Sequence, residues 1–174
     1  GDDPDVTHGA EIVVDLELTP KPNSIEIDGG EGVGRVTKPG IGLEIGQAAI
    51  NPTPRKMIIE NLTEVGKEIL EKNGIKVMIS VPKGRELGPK TDNPRIGIVD
   101  GISILGTSGI VMPYSTASFA AAIRLQLDVV LSMGDDTVVL TTGGRSEDFA
   151  RNVFDLPDHS FVQFGDFSGY TISQ

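Results

Sequence analysis

Arg95-Ile96-Gly97-Ile98-Val99-Asp100-Gly101-Ile102-Ser103-Ile104-Leu105-Gly106-Thr107-Ser108-Gly109 reads as an apolar strand running into a loop of small residues, with a helix further on. Glycine has no Cβ and reaches φ > 0, so such a loop lets a ligand approach the backbone closely. The layout returns at Thr137-Val138-Val139-Leu140-Thr141-Thr142-Gly143-Gly144-Arg145-Ser146-Glu147-Asp148-Phe149-Ala150. Two such turns in succession predict a small-molecule site on the carboxyl edge of a parallel sheet.

Between these turns, Ser115 or Thr116 is placed to cap a helix that continues to about Met133. Thr137 to Leu140 reads as a strand, Ser146 to Val153 as a short helix, and Ser160 to Phe164 as a third strand. With Arg95 to Val99 in front, the order β-α-β-α-β predicts a parallel sheet with right-handed crossovers. The first half is more irregular. Strands are expected over Glu11–Leu18, Ile25–Ile27, Val33–Val36 and Ile75–Val81. Met57, Ile58, Leu62, Val65, Ile69 and Leu70 recur at helical spacing behind Pro52 and Pro54, and Asn73-Gly74 is expected to close that helix in a left-handed cap. Pro82 to Pro94 is charged and rich in Gly and Pro. The chain therefore divides into a mixed α+β domain, residues 1–88, with a glycine-rich hairpin and one long helix, and a Rossmann-like α/β domain, residues 89–174.

The chain has 174 residues, a formal net charge of −10 and 38 % hydrophobic residues. So acidic a chain is unsuited to gripping a phosphodiester backbone, and nucleic acid is not an expected partner. No run of about 18 apolar residues is visible, so no membrane span is expected. No signal peptide opens the sequence. Cysteine is absent, which excludes disulfides, thiolate metal sites and a cysteine nucleophile within these residues and fits a cytoplasmic protein. The start, Gly1-Asp2-Asp3-Pro4-Asp5, reads as the middle of a longer chain.

Four places carry candidate chemistry. Asp28-Gly29-Gly30-Glu31-Gly32 resembles a methyltransferase glycine motif, but Gly34 to Gly40 is no helix start, so a glycine hairpin is expected, with Arg35 and Lys38 facing an anion. At Pro52-Thr53-Pro54-Arg55-Lys56 a helix start offers free N–H groups beside two cations suited to a carboxylate or phosphate. The two second-half turns offer Gly101, Thr107, Ser108, Gly109, Thr142, Gly143 and Gly144 to a ligand. Asp2, Asp3, Asp5 and His8 read as a polar turn, and His159 as exposed. Nothing in the histidine spacing argues for a zinc site. No phosphate-cradling loop and no serine elbow is present, and the true G-x-G-x-x-G that NAD use would require is absent.

These stretches together resemble the CbiD family of cobalt-precorrin-5B C1-methyltransferases. The resemblance is carried by Gly1–Gly9, Gly30–Gly40, Ala49–Arg55, Gly101–Val111 and Asp135–Leu140. It implies methyl transfer from S-adenosylmethionine to C-1 of a cobalt-bearing tetrapyrrole, with the cobalt arriving in the substrate and no protein metal site. The substrate's carboxylates would be met by Arg35, Lys38, Arg55 and Lys56, with the methyl donor on the second-half turns. Asp100 is the candidate donor-binding carboxylate or base. Family members carry further segments before and after the matching region, which again reads this chain as a fragment. A non-catalytic tetrapyrrole-binding module is the alternative, and a homo-oligomer is left open.

Overall fold

The computed structural model describes residues 5–106 and 115–174. It is a mixed α and β structure with small sheets, in two compact units. Among the described residues one unit holds 5–37, 43–94 and 98–106, and the other holds 38–42, 95–97 and 115–174.

In the first unit, strands β1 (Val13–Thr19), β2 (Ile25–Gly29) and β4 (Gly74–Ser80) form a sheet of order β1-β4-β2. β4 pairs antiparallel with β1 and parallel with β2. Directly opposed residues share a face, so Ile25, Ile27, Ile75, Val77 and Ile79 point into one core. Ile58 and Leu62 of helix α1 (Pro52–Val65) and Leu70 of α2 (Lys67–Leu70) pack against it. Val14, Leu16 and Leu18 of β1 lie on that same face, opposite Ile79, Val77 and Ile75, yet each is more than half exposed.

Gly66 divides the expected long helix into α1 and α2. Gly74 is not a left-handed cap. It begins β4, where a Cβ would strike Ser24 Oγ, Lys21 O and Thr19 Oγ1, so close packing rather than backbone conformation demands glycine.

The glycine-rich stretch after β2 is a turn and not a hairpin, because its flanking strands belong to different sheets. β3 (Arg35–Val36) pairs antiparallel with β5 (Ile98–Val99). Gly32 is left-handed at φ +70, and its carbonyl accepts from Ile102 N at 3.0 Å. A Cβ on Gly84 or on Gly101 would meet that same carbonyl. Backbone thus packs directly on backbone where α3 (Gly84–Leu87), the 3-10 turn Gly88–Lys90 and the β5 end converge.

Arg95 to Val99 is therefore not the first strand of a parallel sheet. Left-handed Gly97 breaks it, and only Ile98–Val99 is extended, as the antiparallel partner of β3. Two strands of the expected parallel sheet remain.

Those strands lie in the second unit. Helix α4 (Thr116–Met133) is capped by Ser115, whose Oγ accepts from Ser118 N, and ends at left-handed Gly134. β6 (Val139–Thr141), α5 (Gly144–Val153) and β7 (Phe161–Gln163) follow, with β6 and β7 parallel, and α6 (Ser168–Ile172) comes last. Ile123 and Val130 of α4 bury against Val162, Leu140 and Phe164. By length and composition α4 is apolar enough to cross a membrane. Counting only uninterrupted apolar runs misses it, because Arg124 and Asp128 break the run.

Candidate functional site

β6 ends at Thr141, and the chain turns through Thr142 and Gly143 into α5. Phe164 N donates to Thr141 O at 2.9 Å, so the two parallel strands finish side by side at their carboxyl ends. Packing requires neither Gly143 nor Gly144 to be glycine. A Cβ built on either meets nothing, and Gly143 is extended, a conformation open to any residue. Gly143 N donates to Ser146 Oγ at 3.0 Å and the Ser146 hydroxyl donates to Gly143 O at 2.8 Å, which fixes the turn.

Next to this turn Glu147 is buried. Its carboxylate accepts from Arg95 Nη1 at 2.7 Å, Gln163 Nε2 at 2.6 Å and Arg151 Nε at 2.8 Å. Burial pushes the carboxyl up, but these hydrogen bonds and the Arg95 charge hold it below the usual range. Arg151 also pairs with Asp158 at 2.6 Å and lies over the Phe161 ring. One acid thereby ties α5, β7 and Arg95 together.

A second array runs from Lys38. Its Nζ donates to His159 Nδ1 at 3.1 Å and to Arg95 O at 3.4 Å. An ammonium only donates, so Nδ1 accepts, and the ring hydrogen lies on Nε2, which donates to Asp135 Oδ2 at 2.6 Å. Ser160 Oγ reaches the same oxygen at 3.3 Å. His159 is thus buried and not exposed: the 3-10 turn Asp158–Ser160 places its ring where both nitrogens find partners. Burial lowers the Lys38 amine, against the pull of Asp158 and Asp135. Gly97 leaves room for the lysine stem, since a Cβ there would strike its carbons.

The first unit holds Arg35, Arg55, Lys56, Asp100 and Gly101. Arg35 pairs with Asp28 at 2.8 Å and donates to Gly29 O at 2.6 Å. Burial raises the Asp28 carboxyl, yet hydrogen bonds from Arg35 and Gly29 N, with the charges of Arg35 and Arg55, hold it low. Arg55 donates to the carbonyls of Ile50, Ile27 and Ala48. Lys56 is exposed, 3.7 Å from Glu60. Asp100 takes a left-handed φ of 62, rare for a residue with a Cβ, and lines a cavity of about 250 Å³ with Arg85, Pro89, Pro94, Ile98 and Val99. Gly101 lines it too, while its own packing against Gly32 already explains the glycine. The structure brings Arg35 and Arg55 together around Asp28, whereas Lys38 belongs to the other unit.

Thr107, Ser108 and Gly109 lie outside the described residues, as do Asp2 and Asp3. Glu147 and the Lys38–His159–Asp135 array were not singled out from sequence. The signal for Glu147 was its place as second residue of the expected helix Ser146 to Val153, on the face of Ala150 and Arg151.

Residues 1–113 match the family model CbiD. A protein of Geobacillus sp. (strain WCH70) named cobalt-precorrin-5B C(1)-methyltransferase is 52 % identical over 175 residues, covering 100 % of this chain and 48 % of its own length. One of the same name from Dechloromonas aromatica (strain RCB) is 53 % identical over 169 residues, covering 96 % of this chain and 43 % of its own. The chain spans about half the length of the curated relatives it matches. A crystal structure described as cobalamin biosynthesis protein (cbiD) from Archaeoglobus fulgidus is 28 % identical, with a TM-score of 0.46, covering 97 % of this chain and 52 % of that one.

Proposed function

Because the chain belongs to the CbiD family, we propose that it forms part of an enzyme methylating C-1 of cobalt-precorrin-5B, with S-adenosylmethionine as methyl donor, in cobalamin biosynthesis. The observation that carries this is relatives bearing that enzyme's name, about 50 % identical along the whole chain. The cobalt belongs to the substrate.

The β6–α5–β7 unit is read as part of a Rossmann-like sheet, with the donor at the Thr142-Gly143-Gly144 turn. Parallel pairing and the open space at both glycines support this placement, since neither glycine answers to any packing need of the chain itself. Bound there, the donor supplies a methyl group already activated on a sulfonium. The chain then has to hold two reactants in line and keep water away. Ser146 fixes the turn, and Glu147, clamped by Arg95, Arg151 and Gln163, fixes the helix that carries it. Methylating a neutral carbon by a cation leaves one proton to be removed. Asp100, exposed on its cavity, is assigned as the carboxylate that takes it or that holds a donor group. Lys56, with no partner closer than Glu60 among the described residues, is the freest of the four predicted cations to meet a substrate carboxylate.

The test is methyl transfer by the full-length protein from ¹³C-methyl S-adenosylmethionine to cobalt-precorrin-5B. A new ¹³C methyl signal coupled to C-1 is expected. Label on another carbon, or none, overturns the proposal.

A further inference from the structure

We propose that Asp166 holds the ribose hydroxyls of the adenosyl donor, an inference that rests on the methyl-transfer reading above. Register places it. Thr141 stands opposite Gln163, and Phe164 N extends the ladder by bonding Thr141 O at 2.9 Å, so the chain leaving β7 begins beside the Thr142–Gly144 turn that leaves β6. At that point Gly165, left-handed at φ +53, swings the chain round, and Phe167 N closes a tight turn on Phe164 O at 2.9 Å. Asp166 occupies the corner. The turn is anchored by Phe167, whose ring packs 5.2 Å from Phe119, and by Phe164 in the α4 cluster. The backbone of Asp166 is therefore held at the carboxyl edge between two packed aromatic residues.

Asp166 is exposed and makes no hydrogen bond or ion pair among the described residues. This contrasts with Glu147, Asp135 and Asp158 of the same unit, each held by a basic side chain. An acid at the end of the strand next to a glycine turn, some 20 positions on, is where a parallel βαβ unit meets a nucleoside's vicinal diol. Asp166 follows Gly143 by 23 positions. A carboxylate suits that diol because it accepts from two hydroxyls at once and has no hydrogen to offer. The polycarboxylate substrate, by contrast, would be repelled from it.

The test is calorimetry on the full-length protein with S-adenosylhomocysteine and with its 2′,3′-dideoxy analogue, for the wild type, Asp166→Asn and Asp166→Glu. Asp166→Asn is expected to weaken S-adenosylhomocysteine about 10- to 100-fold, as for loss of a charged hydrogen bond. The dideoxy analogue should bind wild type and variant alike, and Asp166→Glu should recover part of the loss. An equal loss for both ligands, no loss, or no binding by the wild type overturns the proposal. Methyl transfer in the same samples separates the two levels: transfer that persists with an unchanged donor KM in Asp166→Asn removes the ribose contact but leaves the enzyme reading intact. Absence of transfer by the wild type removes both.

Discussion

Arg95 Nη1 lies 2.7 Å from Glu147 Oε2, joining residues 52 positions apart across a carboxylate that is 3 % exposed. Arg151 shares the same acid from one turn along α5. Removing the acid takes from both guanidinium groups the carboxylate they share, although Arg151 keeps its pair with Asp158. Glu147→Ala is expected to cost about 2–3 kcal/mol, towards the low end for breaking a buried pair, because both arginines keep part of their side chains in water. Exposed Asp148→Ala is the control, and thermal unfolding is the measurement.

The same carboxyl predicts a pH dependence. Its folded pKa lies below its unfolded value, so its contribution is present above about pH 4.3 and is lost as pH falls through the lower folded value. Glu147→Gln should therefore be less stable at neutral pH and lose less stability on acidification. Denaturant unfolding at pH 7 and across the acid limb reads both. Parallel acid limbs would contradict the assignment.

His159 should be an Nε2–H tautomer at neutral pH, because Lys38 faces Nδ1 with hydrogens only. Nitrogen-15 shifts of the ring report this directly. Lys38→Met should free Nδ1 and shift its nitrogen-15 resonance while Nε2 keeps its hydrogen, because Asp135 still accepts from it. An Nδ1–H ring in the wild type would contradict the array.

Much of this organisation was legible because it is local. Ser115 as cap, Met133 as helix end and the strand-helix-strand order from Thr137 onward follow from capping chemistry and apolar spacing, and the structure agrees. Arg95 to Val99 was misread because its apolar run looks like a buried strand, while its conformation is set by Gly97 making room for Lys38, a residue 59 positions away. Gly74 and Gly101 looked like turn or ligand glycines. Their reason is contact with distant backbone and side chains, which spacing does not encode. His159 looked exposed for the same cause: its partners, Lys38 and Asp135, are far off in sequence.

Two glycine substitutions separate packing from ligand access. Gly32→Ala forces a side chain into a left-handed site, for about 1–3 kcal/mol, and drives its Cβ into Val81 O besides. It should unfold the first unit or lower its melting temperature sharply. Gly144→Ala meets open space at the first position of α5 and should leave stability within about 0.5 kcal/mol. Melting curves of both variants decide the matter.

Arg55 and Lys56 are adjacent and should behave oppositely. Arg55 donates to three carbonyls, so Arg55→Ala should cost about 1–3 kcal/mol of stability. Lys56→Ala should leave stability nearly unchanged and raise the KM for the macrocycle, an effect that grows at low salt. An unchanged KM at low salt would remove Lys56 from substrate binding.

The most direct test of the donor's place is titration of S-adenosylmethionine into the full-length protein and its Gly143→Val variant, with melting temperatures taken alongside. Wild-type binding that disappears in a variant of unchanged melting temperature is the predicted result. Binding of equal strength in both would contradict the placement of the donor at the carboxyl ends of β6 and β7.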